Sequence, residues 1–176
     1  MKSADLTGRR GDSMDVKKLT KLGLLTGLAL IIFIVELRLP DIVPIPGVKL
    51  GLANIVTVYC IYSFSPAETA MMLFSRILLG ALFAGNLMAL WYSIAGGAMC
   101  FAGMVLLKKA AGEKNMWFLS VVGALLHNIG QICVAMLVLK SSTVIGYLPF
   151  LMVSGCIAGL FTGICAQLIS SRLKKR

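Results

Sequence analysis

The sequence predicts an all-α integral membrane protein, a bundle of six transmembrane helices with both termini on the cytoplasmic side. Three observations lead there. First, 59% of the 176 residues are hydrophobic and only 14% are charged, whereas a soluble domain carries about 25% charged residues; mean hydropathy is +0.92. Second, the apolar residues fall in runs close to the roughly 20 residues that a helix needs to cross a bilayer core. Third, the 17 Lys and Arg residues gather mainly at the ends of those runs. A chain of this length has room for about six or seven crossings, hence one membrane domain and little else.

Residues 1–16 carry Asp5, Arg9, Arg10, Asp12 and Asp15 with almost no apolar content. Such a stretch cannot bury enough surface to fold alone and reads as a flexible cytoplasmic tail. The membrane domain follows over 17–172. Lys17, Lys18 and Lys21 introduce the first helix, about 19–39, whose core is Leu22 to Val35. The next residues, Glu36-Leu-Arg38-Leu-Pro40, offer no small-residue cleavage site, so this is an uncleaved span and not a signal peptide. Pro40, Pro44 and Pro46 then forbid a regular helix and make a stiff, exposed loop up to Lys49. The second helix, about 50–64, is short for a crossing and apolar apart from Asn54, Thr57, Ser63 and two tyrosines; it tilts little or begins inside the loop.

Ser65-Pro66-Ala67-Glu68 combines a capping hydroxyl, proline at the first helical position and a glutamate that reaches back to the cap nitrogen. It starts the third helix, 66–85. Asn86 caps the fourth, 86–107, across a tight hairpin. After Lys108, Lys109, Glu113 and Lys114, Asn115 is a candidate cap for the fifth helix, 116–139. Lys140-Ser-Ser-Thr closes it. The sixth runs from about Pro149 to Ser171, ahead of a basic tail at 173–176. Counting Lys and Arg by loop parity gives thirteen on the side of the termini against three, Arg38, Lys49 and Lys140, on the other. The positive-inside rule therefore puts both termini in the cytoplasm and the proline-rich loop outside.

These patterns also exclude functions. The net charge of +10 is spread over helix ends, so it orients the chain in a bilayer and makes no nucleic-acid patch. The five cysteines lie singly in apolar runs and read as core-filling thiols, and His127 has no partner at metal-ligand spacing. No metal or cofactor is expected. Asp5, Asp12, Asp15 and Asp41 are isolated, so no aspartate cluster holds magnesium against a diphosphate. There is no phosphate-binding glycine loop and no catalytic group, so the chain reads as a non-enzyme and any ATP hydrolysis belongs to a partner.

Several residues carry more information than hydropathy alone. Arg76 lies ten residues past Pro66, about 15 Å deep and near the bilayer centre, with no carboxylate expected at the same depth. It is satisfied by backbone carbonyls or by snorkelling, or it is a counter-charge for an anionic ligand. His127, Asn128 and Gln131 share one region of the fifth helix; they make interhelical hydrogen bonds or line a polar ligand pocket. Trp91 and Tyr92 sit where aromatic rings anchor at an interface, or stack on an aromatic ligand. Gly155, Gly159 and Gly163 make a close-packing face within the domain. Gly23 and Gly27 make another, facing the domain or a partner subunit.

The run Pro46-Gly-Val-Lys49-Leu-Gly51-Leu-Ala-Asn54-Ile-Val, with Ser75-Arg76 and Leu79 to Gly85, resembles the Gx transporter family. Its members are often labelled heptaprenyl diphosphate synthase component I. The resemblance covers about 20–172. It implies similarity to the substrate-binding S components of energy-coupling-factor transporters, whose six-helix fold binds a vitamin or metal on its outer side and docks a coupling subunit through small residues of the first helix. Gly23 and Gly27 stand at that position where alanine is commoner.

On that footing the expected role is a substrate-binding subunit for uptake of a small, vitamin-like solute. It would sit in a bacterial cytoplasmic membrane, energised by partner ATPases through a coupling membrane subunit. Lys49, Asn54, Arg76, Trp91, Tyr92, His127, Asn128 and Gln131 are the candidate solute contacts. The alternatives are a non-transporting partner of a redox or isoprenoid-quinone system and a component of a prenyl diphosphate synthase.

Overall fold

A computed structural model describes residues 16–39 and 51–174. Lys49, the proline-rich loop, the expected start of the second helix at residue 50 and nearly all of the N-terminal tail lie outside the described residues. Those that are described form six α-helices and no strand: α1 (Val16–Glu36), α2 (Asn54–Ser63), α3 (Pro66–Ala84), α4 (Leu87–Ala111), α5 (Met116–Leu139) and α6 (Leu148–Lys174). Short 3-10 turns, Glu113–Asn115 and Ser142–Tyr147, lead into α5 and α6. Five of the helical segments are long and apolar enough to cross a membrane. The chain is a helical, multi-pass membrane protein. α2 is the exception at ten residues, about 15 Å of helix against a core of about 30 Å.

Helix ends follow local chemistry. At α3, the Glu68 N–H donates to Ser65 Oγ at 3.3 Å and the Ser65 N–H donates to Glu68 Oε2 at 2.9 Å, the reciprocal pair that the sequence predicts. Gly85, at φ +63°, ends α3 by donating to Ala81 and Leu82 carbonyls. Asn86 Oδ1 accepts from the Met88 N–H at 2.8 Å and opens α4. Asn115 makes no side-chain cap. The 3-10 turn before α5 takes up the first turn instead, an outcome that corrects the expected cap.

α4, α5 and α6 form the largest interfaces, α1 pairs with α3, and α2 touches all five other helices. Glycine permits the closest approaches. A Cβ on Gly130 of α5 would stand 2.7 Å from the Ala95 carbonyl oxygen of α4, and one on Gly163 of α6 would stand 2.5 Å from Trp117 Cα. Gly155 and Gly159 press on Asn128 and on Val121 and Ala124 in the same way, so the sixth-helix glycine stripe packs inside the bundle as expected. Ser120 and Thr162 hydrogen-bond at 2.9 Å across the same seam. Outside, Phe74, Leu82, Phe83, Leu106 and Leu137 are at least 62% exposed, the apolar surface that lipid covers. Cys60 and Cys100 fill the core, whereas Cys133 is exposed and corrects the expectation that every cysteine is interior.

Candidate functional site

Polar side chains converge in the interior where α2, α3 and α5 meet the end of α1. Glu36, the last residue of α1, is 2% exposed. Its carboxylate accepts from the backbone N–H of Gly51 at 2.6 Å and of Leu52 at 3.0 Å, holding the turn that leads into α2. Gly51 has φ +80°, a left-handed conformation that suits glycine. A Cβ there would meet Asn54 Nδ2 at 3.1 Å and the His127 ring at 3.4 Å. On its other flank the His127 ring presses on Gly96 of α4, whose Cβ would come within 2.8 Å of Nδ1. Two glycines on different elements thus make the slot that His127 occupies.

Arg76 projects from α3 into the same interior, buried to 5% exposure, and its charge acts on Glu36 and on His127. Glu36 belongs to the outer end of α1 in sequence, but both side chains reach into one low-dielectric interior, where charges interact over longer distances than in water. Thr57 lies one turn beyond Asn54 on α2, fully buried, and Gln131 one turn beyond His127 on α5, 1% exposed.

Seven buried atoms have no hydrogen-bond partner among the described residues, six in this region, Asn54 Nδ2 and Oδ1, Thr57 Oγ1, Arg76 Nε, His127 Nδ1 and Gln131 Oε1, and one beside it, Asn128 Oδ1. Each buried polar atom left without a partner costs about 1–3 kcal/mol, and a bilayer interior supplies no water from outside to offset it. An interior so rich in unpartnered donors and acceptors is suited to a small polar guest. It presents a cation, an imidazole, a hydroxyl and amides, which can orient and neutralise a solute.

Asn54 and His127 are brought together around Gly51, the charge of Arg76 reaches His127 and Glu36, and Gln131 is buried one turn beyond His127 on α5. Asn128 stands on the flank facing α6, where its Nδ2 donates to the Leu151 carbonyl at 2.6 Å; this is an interhelical bond. Tyr92 is buried among Ile132, Ala135, Val144 and Leu151, in an apolar cluster. Trp91 is 59% exposed and stands outside the buried polar group. Gly23 and Gly27 are exposed, with no atom within 4 Å of a Cβ at either position. Two participants escaped the sequence reading. Thr57 was signalled by its i, i+3 spacing from Asn54 within an apolar run. Glu36 had no local signal, since its partners are fifteen and sixteen residues away.

Residues 25–169 match the family described as heptaprenyl diphosphate synthase component I. The chain belongs to that family. The match spans the helical bundle from within α1 to within α6 and includes every residue of the buried polar group. No curated protein and no solved structure matches the chain.

Proposed function

We propose that this member of the heptaprenyl diphosphate synthase component I family is the solute-capture subunit of a small-solute uptake transporter. The observation that carries the reading is the buried polar group in a membrane bundle, with six of its side-chain atoms, on Asn54, Thr57, Arg76, His127 and Gln131, unpartnered among the described residues. Ionisable residues inside a membrane domain mark solute or ion pathways more often than packing. The solute is small and polar, with Arg76 and His127 favouring an anionic or strongly hydrogen-bonding group. Both termini lie in the cytoplasm on the charge count, α2 completes a sixth crossing, and the membrane is a bacterial cytoplasmic membrane. The chain itself is not an enzyme. Energy comes from cytoplasmic ATPases through a coupling membrane subunit, for which the exposed Gly23 and Gly27 of α1 provide a flat docking face.

Native mass spectrometry of the purified protein tests the capture step. A small polar molecule should co-purify with the wild type and be lost from Arg76→Met and Gln131→Leu variants that still unfold cooperatively. Loss of folding with unchanged affinity in the folded fraction would make Arg76 structural and reject the role given to it. Pull-down from native membranes that recovers no ATPase module would reject the coupling half. The family description favours a second reading, a membrane component of prenyl diphosphate synthesis. It requires that diphosphate synthesis in membranes depend on this chain, which deletion followed by product assay decides.

A further inference from the structure

A lateral groove of about 670 Å³ lies between α1, α2 and the last turns of α6, well apart in chemistry from the buried polar group. Leu24, Leu28 and Ile32 of α1, Ile55 of α2 and Ile169 of α6 make its walls. Leu24 and Leu28 are 71% and 49% exposed, so the groove opens sideways onto lipid. Its polar residues collect at one end: Lys21, Ser63 at the last position of α2, and Ser170 in the final turns of α6. This is the end of the bundle where Lys17, Lys18 and Arg172 also lie.

Length and charge together specify an occupant. From Lys21 to Ile32 is eleven residues, about 16 Å of helix, and one leaflet contributes about 15 Å of a hydrocarbon core. The groove is thus as deep as one leaflet, apolar along its length and cationic at the headgroup level. We propose that it binds an anionic phospholipid of the leaflet on the basic side of the bundle. One acyl chain lies against α1, and Lys21 holds the phosphate with Ser63 and Ser170 beside it. The polar stretch over residues 1–15, with three aspartates and almost no apolar side chain, has the wrong chemistry to fill an apolar trough. The assignment does not depend on the solute reading.

Purified full-length protein would be mixed with phosphatidylglycerol or phosphatidylcholine of matched chains, and retained lipid counted by native mass spectrometry. The wild type should hold phosphatidylglycerol about fivefold better, the effect of one lysine on an anionic headgroup. Lys21→Gln should bring the two lipids to parity. Leu28→Trp, which fills the trough from its open side, should lower retention of both. Leu137→Trp, on an exposed part of α5, should change nothing. As a second readout, phosphatidylglycerol should raise the unfolding temperature of the wild type and of Leu137→Trp more than that of Leu28→Trp. Equal retention of the two lipids by the wild type, an unchanged preference in Lys21→Gln, or a dimer that Leu28→Trp dissociates would overturn the proposal.

Discussion

Replacing Gly130 by alanine asks how closely α4 and α5 must approach to hold the polar group together. The new Cβ would lie 2.7 Å from the Ala95 carbonyl oxygen, 2.9 Å from the Ala95 carbonyl carbon and 2.9 Å from Gly96 Cα. All three are backbone atoms, so no side-chain rotation relieves the overlap, and reaching ordinary contact at 3.4 Å means opening the pair by about 0.7 Å. A gap of about 0.5–1 Å forfeits a quarter to a half of the dispersion energy of each contact it touches, and overpacking of a well-fitted interior costs about 1–3 kcal/mol. Alanine regains about 0.5–1 kcal/mol as the better helix former. The expected net loss is about 1–2 kcal/mol, or about 3–6 °C in unfolding temperature for a chain of this size. Thermal unfolding in detergent followed by circular dichroism reads it, with Gly23→Ala as the matched control. Nothing lies within 4 Å of a Cβ at position 23, so that variant should gain about 0.5–1 kcal/mol. A Gly130→Ala protein that unfolds at or above the wild-type temperature would refute the reasoning.

Glu36→Gln keeps one acceptor oxygen but exchanges charge-assisted bonds of about 1.5–3 kcal/mol for neutral ones of about 0.5–1.5. Hydrogen exchange at the Gly51 and Leu52 amides should speed up by about tenfold, and unchanged rates would show that the carboxylate does not anchor the turn. Ser65→Ala removes half of the α3 capping box and should cost about 1 kcal/mol, whereas Lys18→Ala breaks only the exposed Lys18–Glu68 ion pair and should cost less than that in urea titration. Asn128→Ala leaves the Leu151 carbonyl with one donor fewer, Ser154 Oγ remaining at 3.1 Å. A loss of about 1–2 kcal/mol is expected, together with retained solute; lost solute at full stability would place Asn128 among the solute contacts.

What could be read from the sequence was local. The capping box at Ser65, the Asn86 cap and the glycine spacing of α6 depend on residues two to four apart, and such patterns survive in any tertiary setting. Asn54, Arg76, His127 and Gln131 stood out because polar groups in apolar helices are rare enough to notice one by one. What joins them was hidden, because it depends on long-range geometry. The slot for His127 needs Gly51 and Gly96 to meet from different elements, and although Gly51 belongs to the run that carries the family resemblance, nothing local in the sequence pairs it with Gly96. Glu36 read as an outer helix end because nothing within a turn of it hints that the chain returns to its carboxylate. Trp91 and Tyr92 are adjacent in sequence yet one is exposed and the other interior, since successive helical residues point about 100° apart.

The brevity of α2 bears on how the protein is made. Ten residues do not partition into a bilayer as readily as the runs around them, yet these ten touch every other helix of the bundle. Four of those neighbours are synthesised after it. The centre of the molecule is therefore assembled late, when α3 to α6 arrive to surround a segment that has little membrane affinity of its own. Chains halted before α5 should leave Asn54–Ser63 reachable by water-soluble cysteine reagents at Cys60, and completed chains should protect it.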